Sequence, residues 1–263
     1  MSFERLVVGT DGGDTASVAV AQTLGLADRT GAEVIVVTAH GKGDDAREVA
    51  RSLLRDVKRQ HPGVERMELV ARQGDPVEAL IGVAKDRDAD LVVVGNRGLT
   101  GKRVLGGIPD RVSHQCPTSV LIADTNWAAI LPAGEDPHAR RAPAKVLIAT
   151  DGSPTANAAT RAGFGLASAL DAETLLLFVG ERGHGERVLE KATLDLAKDT
   201  PVRTLVEGGD PPSRILEVAE QENADLIVVG NKGMRGLRRM FLGGVPNHVT
   251  HHAPCSVLVV KTS

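Results

Sequence analysis

The sequence predicts an α/β fold of two tandem five-stranded parallel-sheet sandwiches, each in strand order 3-2-1-4-5 with helices on both faces. Short runs rich in Val, Ile and Leu alternate with segments of helical period, which is typical of parallel strands covered by helices. The whole pattern occurs twice, and a fixed-period repeat indicates a duplicated architecture. Right-handed crossovers then place the C-terminal ends of the strands at one edge of each sheet.

The internal repeat is visible in aligned segments. VVGTDGGDTASVAVAQTLGLADRTGAEVIVVT from residue 7 returns as LIATDGSPTANAATRAGFGLASALDAETLLLF from residue 147, so Asp11 corresponds to Asp151 at an offset of 140. Gly95 corresponds to Gly230 at an offset of 135. The two copies therefore share the same order of elements, with the second copy shorter in between.

Strands are predicted at residues 3–10, 34–39, 66–71, 91–95 and 118–123, and again at 144–150, 174–179, 202–206, 225–230 and 255–261. Two helix starts are well marked. Asp75 can cap a helix with Pro76 at its first position, and Asp210 does the same ahead of Pro211.

The length and the repeat predict two domains, residues 1–126 and 144–263, each large enough to bury its own core. Residues 127–143 contain three prolines, mixed charges and no sustained periodicity, which indicates a linker. We expect the fifth strands to pair the two domains within one chain, because an unpaired apolar edge strand favours association. A further homodimer is left open.

Composition excludes several classes of protein. The chain has one Trp, no Tyr and a formal net charge of -3, so it lacks the aromatic platforms and the basic charge of a nucleic-acid-binding protein. Cys116 and Cys255 do not occupy equivalent repeat positions, which argues against a disulfide framework and favours a reducing compartment. Neither a leader pattern nor an apolar stretch near 18 residues is found, so the predicted location is the cytoplasm, away from membranes.

Each copy joins an apolar strand to a glycine-punctuated loop and a helix start. The first reads VVVGNRGLTGKRVLGGIPDRVSHQCPTSVLIA from Val92, and the second reads IVVGNKGMRGLRRMFLGGVPNHVTHHAPCSVLVV from Ile227. Such a loop gathers backbone N–H groups that can bind phosphate. Asp11 follows the first strand, which lies next to the fourth strand in the predicted sheet. The strand order reverses between these two strands, and in doubly wound sheets ligands bind at that point. The sequence therefore predicts a phosphate-containing ligand at this edge.

These residues resemble the universal stress protein family, in its tandem two-domain and ATP-binding form, over nearly the full length of both domains. Nucleotide-binding members of that family show G-x-x-G, nine residues, then G-[ST]. The second copy has this spacing from Gly233 to Gly243, whereas the first has only seven residues before Gly106. Gly107 and Gly244 stand where the family has Ser or Thr.

The resemblance implies a nucleotide site in each domain. Asp11 and Asp151 would recognise adenosine, the main chain at Ala39 and Val179 would meet the adenine edge, and the loop glycines would let the backbone approach ribose and phosphates. The residues implied in the first domain are Gly9, Thr10, Asp11, Ala39, Gly95, Arg97, Gly98, Gly106, Gly107 and Ile108. Those implied in the second domain are Ala149, Thr150, Asp151, Val179, Gly230, Lys232, Gly233, Gly243, Gly244 and Val245.

Simpler structural explanations stay open for each feature. The glycines either face a ligand or serve turns and helix packing, and the two aspartates either bind a ligand or cap local turns. Basic side chains near the loops either neutralise phosphate or form a solvated face. They are Arg97, Lys102, Arg103, Lys232, Arg235, Arg238 and Arg239.

Other motifs do not match. Five residues separate Gly95 from Gly101, where a Walker loop has four, and no G-x-G-x-x-G follows the first strand, which disfavours NAD. A zinc site at the helically spaced histidines of residues 248–252 would need Cys255, but Pro254 should end the helix first. We expect helix-terminal histidines and no metal site there.

Three functions fit the sequence. In the first, a cytoplasmic universal stress protein binds ATP, with or without Mg²⁺, in a strand-end cleft of each domain and acts in the stress response through ligand-dependent stability or partner binding. In the second, the chain is a weak ATPase or phosphoryl-transfer enzyme. In the third, it is a nucleotide-free interaction module. No nucleophile motif is found, so no catalytic residue is predicted and turnover would at most be slow hydrolysis.

Overall fold

The computed structural model describes residues 3–96, 98–99, 102–103, 107–125, 142–196, 201–231 and 242–262. The chain divides into two compact units. One contains Phe3–Val112, and the other contains the chain from Pro143 onward together with Ser113–Ser119. The domain limits at residues 126 and 144 stay a prediction.

The first repeat alternates strands and helices. In chain order its elements are β1 (Arg5–Gly9), α1 (Asp14–Thr30), β2 (Glu33–His40), α2 (Asp44–Gln60), β3 (Met67–Gln73), α3 (Pro76–Asp86), β4 (Leu91–Gly95), β5 (Gly98–Leu99), β6 (Lys102–Arg103), α4 (Gly107–Gln115) and β7 (Ser119–Ala123). The main strands lie in the order β3-β2-β1-β4-β7, and β1 pairs in parallel with both β2 and β4. The predicted 3-2-1-4-5 order is confirmed. The short antiparallel pair of β5 and β6 was not predicted.

The second repeat has the same plan. Its elements are β8 (Lys145–Ala149), α5 (Pro154–Leu170), β9 (Glu173–Val179), α6 (Arg182–Leu196), β10 (Val202–Glu207), α7 (Pro211–Gln221), β11 (Leu226–Gly230), α8 (Gly244–His252) and β12 (Ser256–Val260). Its strands lie in the order β10-β9-β8-β11-β12, again 3-2-1-4-5, with β8 parallel to β9 and β11. The observed strand ends differ from the predicted ones by at most two residues.

Apolar strand interiors form the core of each repeat. Val7 and Val92 in the first repeat, and Leu147 and Ile227 in the second, are fully buried. Burial on both faces of each sheet explains why the strands read as near-continuous apolar runs. Across the helices that the structure describes, no stretch combines the length and the apolar character that a membrane span requires.

Both predicted aspartate caps are present. The backbone N–H groups of Val77 and Glu78 donate to Asp75 Oδ1 at 3.0 and 3.2 Å, at the start of α3. The N–H of Ser213 donates to Asp210 Oδ2 at 3.3 Å, at the start of α7. Each carboxylate satisfies N–H groups that have no partner within the helix, which fixes where the helix begins beside the strand ends.

Candidate functional site

A cleft of about 120 Å³ lies at the C-terminal ends of the first repeat's strands. It has room for several water molecules, so side chains do not fill it. The lining comes from the ends of β1, β2 and β4 and from the N-terminal parts of α1, α3 and α4. It comprises Gly9, Thr10, Asp11, Thr15, Ala16, Val37, Thr38, Ala39, Pro76, Leu80, Val94, Gly95, Ile108 and Pro109.

Six of the residues implied for the first domain lie together in this lining. They are Gly9, Thr10, Asp11, Ala39, Gly95 and Ile108. Gly98 lies in β5, and Gly107 begins α4 outside the described lining. Arg97 and Gly106 lie outside the described residues, as do the side chains of Lys102 and Arg103.

The turn after β1 shapes one end of the cleft. Thr10 still belongs to the sheet, since its N–H donates to the Val37 carbonyl oxygen at 2.9 Å. Two residues later, the Gly12 N–H donates to Thr10 Oγ1 at 3.1 Å, with a Gly12 φ of 80° that favours glycine. Gly152 repeats this conformation with a φ of 77°. The turn leaves Asp11 exposed at the strand end.

Asp11 has a structural partner and a spare acceptor. The Gly13 N–H donates to Asp11 Oδ1 at 3.0 Å, and the Ser153 N–H donates to Asp151 Oδ1 at 2.9 Å. The turn-capping explanation is therefore realised in both copies. In Asp11, Oδ2 accepts no hydrogen bond from the residues that the structure describes, so this oxygen can accept one from a ligand hydroxyl.

Helix packing gives a reason for two of the loop glycines. A Cβ on Gly95 would lie 2.9 Å from the Thr15 carbonyl oxygen, and a Cβ on Gly230 would lie 2.8 Å from that of Thr155. The sequence analysis attributed these glycines to close approach of the ligand. The structure gives a second reason for these glycines, which is the close approach of a helix backbone. Helix α1 lies against the end of β4, and α5 lies against the end of β11.

The N-terminus of α4 forms part of the cleft wall. Ile108 and Pro109, in its first turn, line the cleft. The first N–H groups of a helix have no partner within it and carry a partial positive charge, which suits an anion. Among the described residues, a Cβ on Gly107 would have no heavy atom within 4 Å, and the same holds for Gly244 at the start of α8. The absent Ser or Thr would therefore fit at both positions.

An ion pair holds α4 against α3 beside the cleft. Arg111 Nη1 and Nη2 donate to Asp75 Oδ2 and Oδ1, both at 3.0 Å. This bidentate bond, with smaller contributions from backbone N–H groups, holds the pKa of Asp75 below its usual range. His248 in the second repeat occupies the position equivalent to Arg111. The pKa of Asp210 is lowered mainly by its hydrogen bonds with Ser213, and His248 adds a weaker charge effect.

We expect the Asp75 ion pair to make the stability of the first repeat pH-dependent. Because the pKa of Asp75 is lower in the folded chain than in the unfolded chain, ionisation of this carboxyl stabilises the fold. The stabilisation is complete above about pH 4, where the carboxyl is ionised in the unfolded chain as well. That stabilisation is lost as the pH falls through the lower folded pKa. Denaturant unfolding should show the largest gap between wild type and Asp75→Asn near pH 7, and a smaller gap at pH 3. A gap that does not change with pH would contradict this assignment.

Sequence reasoning missed more than half of the lining. The missed residues are Thr15, Ala16, Val37, Thr38, Pro76, Leu80, Val94 and Pro109. Several were open to prediction, because Val37 and Val94 lie near the C-terminal ends of predicted strands and Pro76 starts a predicted helix at the same sheet edge. Leu80 lies one helical turn after Pro76, so it shares a helix face with it.

The second repeat places its implied residues at the same elements. Ala149 and Gly230 end their strands, Thr150 and Asp151 follow β8, and Val179 ends β9. The N-terminus of α8 supplies Gly243, Gly244 and Val245. Lys232 and Gly233 lie outside the described residues, as do Arg235, Arg238 and Arg239.

The histidines of α8 interact with their own helix. His252 Nδ1 donates to the His248 carbonyl oxygen at 2.9 Å, and His251 Nδ1 donates to that of Asn247 at 2.7 Å. The rings of His248 and His252 stack with centroids 4.2 Å apart. Helix α8 ends at His252, before Pro254, as expected. Over the described ranges, no cluster of three or more His, Cys, Asp or Glu could hold a metal ion.

Comparison with known proteins finds one family. The model of the universal stress protein family matches residues 2–124 and 179–261. A universal stress protein of Mycobacterium bovis is 30% identical over 210 residues, which cover 72% of this chain and 66% of that relative, or about two thirds of its length. A universal stress protein of Methanocaldococcus jannaschii is 32% identical over 139 residues, covering 44% of this chain and 81% of the relative.

A solved structure shows the same fold along the whole chain. The crystal structure of a universal stress protein from Archaeoglobus fulgidus superposes with a TM-score of 0.75, at 22% identity, covering 98% of each chain. The tandem arrangement predicted from the repeat agrees with the two separate segments that the family model matches.

Proposed function

The chain belongs to the universal stress protein family, and from that premise we propose that it binds an adenine nucleotide, with ATP as the ligand, at the strand ends of its repeats. Mg²⁺ can accompany the triphosphate. Binding alters the stability of the fold or the choice of a protein partner, because a ligand that binds one state shifts the population toward it. This response to occupancy, under stress, is the proposed function.

The observation that carries the proposal is the cleft of the first repeat, where a carboxylate and a helix N-terminus line one space. Asp11 and the first turn of α4 both lie in its lining. A nucleotide offers the matching chemistry, with ribose hydroxyls that donate to a carboxylate and phosphates that accept N–H bonds. The apolar part of the lining, from Val37, Leu80 and Val94, suits the faces of a base.

The chemistry of the lining favours binding over turnover. Asp11 is the only ionisable side chain among the described lining residues. Phosphoryl transfer needs groups that neutralise the transferred phosphate and a residue that positions the nucleophile. A single carboxylate supplies neither arrangement, so we propose occupancy as the signal and slow hydrolysis at most.

The proposed setting is the cytoplasm. Cys116 and Cys255 are both thiols in the structure, and thiols persist in a reducing compartment. The proposed partners are the nucleotide and, through the fifth strand of each repeat, the other domain or a second chain.

Restoring the family's hydroxyl at Gly107 tests where the phosphates bind. The Cβ of Gly107→Ser would meet no heavy atom of the described part of the chain within 4 Å. One added hydrogen bond contributes about 0.5–1.5 kcal/mol, so ATP affinity should rise by up to about tenfold. Calorimetric titration of the full chain with ATP measures the change.

The matched control is Gly107→Ala, which stiffens the same backbone without adding a hydroxyl. We expect its ATP affinity to stay within about twofold of wild type, since no hydrogen bond is gained. Equal affinities for the serine and alanine variants would place the phosphates away from α4. A wild-type chain that binds no ATP in the same titration would overturn the proposed function itself.

A further inference from the structure

We infer that only the first repeat binds the nucleotide, because the second repeat fills the equivalent cleft with its own side chains. The inference rests on the proposed function and specifies which of the two sites performs it. It differs from the expectation of one site in each domain, although the second repeat keeps the family's loop spacing and the aspartate.

Equivalent lining positions carry side chains of different size. At four positions the first repeat has the smaller residue. These pairs are Gly9 with Ala149, Val37 with Leu177, Thr38 with Phe178, and Ala39 with Val179. One pair goes the other way, Ile108 with Val245, whereas Leu80 and Ile215 have the same number of carbon atoms. The second repeat therefore brings more apolar volume to the same strand ends.

In the second repeat these larger side chains belong to a packed core. Leu177, Ile215 and Val229 form one buried cluster with Leu242, which is 9% exposed just before α8. Ala149, Val179 and Val245 pack against this cluster. Residues at positions that line the first cleft thus belong to, or pack against, one apolar cluster in the second repeat. A ligand there would have to break close apolar contacts.

Gly9 shows how the first cleft is kept open. A Cβ at this position would lie 3.0 Å from Leu80 Cδ1 and 3.1 Å from Leu80 Cδ2, within the lining. Ala149 has that Cβ, and it packs against the cluster that contains Ile215, the counterpart of Leu80. The two repeats therefore differ at this position by one methyl group. It is absent from Gly9 in the open lining of the first repeat, and in Ala149 it packs against the apolar cluster of the second repeat.

The second repeat has a structural reason to keep its aspartate without a ligand. Asp151 Oδ1 accepts the Ser153 N–H at 2.9 Å, which closes the turn between β8 and α5. Gly230 is likewise required by the approach of Thr155, whose carbonyl oxygen would lie 2.8 Å from a Cβ. Both motif residues thus contribute to the fold.

The stoichiometry of ATP binding tests the inference. Equilibrium dialysis of the full chain against ATP should saturate at one nucleotide per chain. Saturation at two would overturn the inference while supporting the proposed function. No binding at all would overturn the proposed function, on which the inference depends.

A variant that gives the first cleft the side chains of the second identifies the site. Gly9→Ala combined with Ala39→Val should lower ATP affinity at least tenfold, while the chain keeps a cooperative thermal transition. Ala39→Val alone, at a partly buried position, guards against failure of the double variant to fold and should weaken binding in the same direction. If the double variant folds and binds ATP with wild-type affinity, the single site lies in the second repeat and the inference is overturned.

Discussion

Replacing Asp11 by alanine should weaken ATP binding by about ten- to a hundredfold, because a hydrogen bond to a charged group contributes about 1.5–3 kcal/mol. Asp11 lines the cleft, and its Oδ1 accepts the Gly13 N–H, whereas its Oδ2 accepts no hydrogen bond from the described residues. Titration calorimetry on the full chain gives the affinity. Thermal unfolding with and without ATP gives an independent value, since binding to the folded state raises its stability.

Two variants separate ligand binding from the turn. Asp11→Asn keeps an oxygen that can accept the Gly13 N–H but removes the charge, so its ATP affinity should fall between those of wild type and the alanine variant. Asp14→Ala removes a nearby carboxylate, in the first turn of α1 and outside the lining, and should leave the affinity within about twofold. Equal losses for Asp11→Ala and Asp14→Ala would show a general charge effect instead of a contact.

The sequence was sufficient to predict the fold because the signals were local and repeated. Apolar runs of strand length between helical segments gave the strands within two residues, and the doubly wound α/β arrangement gave the sheet order. The Asp-Pro pairs at residues 75 and 210 gave the helix starts. Strand ends placed Thr10 and Asp11 at the cleft, since parallel strands present their C-terminal ends at one edge.

The rest of the site depends on contacts between residues that are distant in sequence. Arg111 meets Asp75 across 36 positions, and no local pattern specifies that pair. Whether Leu80 lines the cleft depends on how α3 is rotated against the sheet. In the second repeat, Leu242 before α8 joins the same buried cluster as Val229 at the end of β11. Glycine spacing, which the two repeats nearly share, carries no information on this packing.

Gly95→Ala and Gly230→Ala should each destabilise the fold by about 1–3 kcal/mol, because the added methyl group has no room. At Gly95 it would lie 2.9 Å from the backbone oxygen of Thr15, and at Gly230 it would lie 2.8 Å from that of Thr155. Backbone atoms inside a packed helix cannot turn away as a side chain can, so the strand or helix must move. Denaturant unfolding of each variant measures the loss.

The control for both is Gly244→Ala, whose Cβ would meet no heavy atom of the described residues within 4 Å. It should leave stability unchanged or raise it by about 0.4–1 kcal/mol, since alanine restricts the unfolded chain more than glycine does. If Gly95→Ala is as stable as wild type, helix packing does not require this glycine, and close approach of a ligand becomes its explanation. If Gly95→Ala is destabilised as expected, weak ATP binding by this variant results from displacement of α1 and not from a missing phosphate contact. Because α1 carries Thr15 and Ala16 into the cleft lining, the same glycine then couples the packing of the fold to the shape of the site.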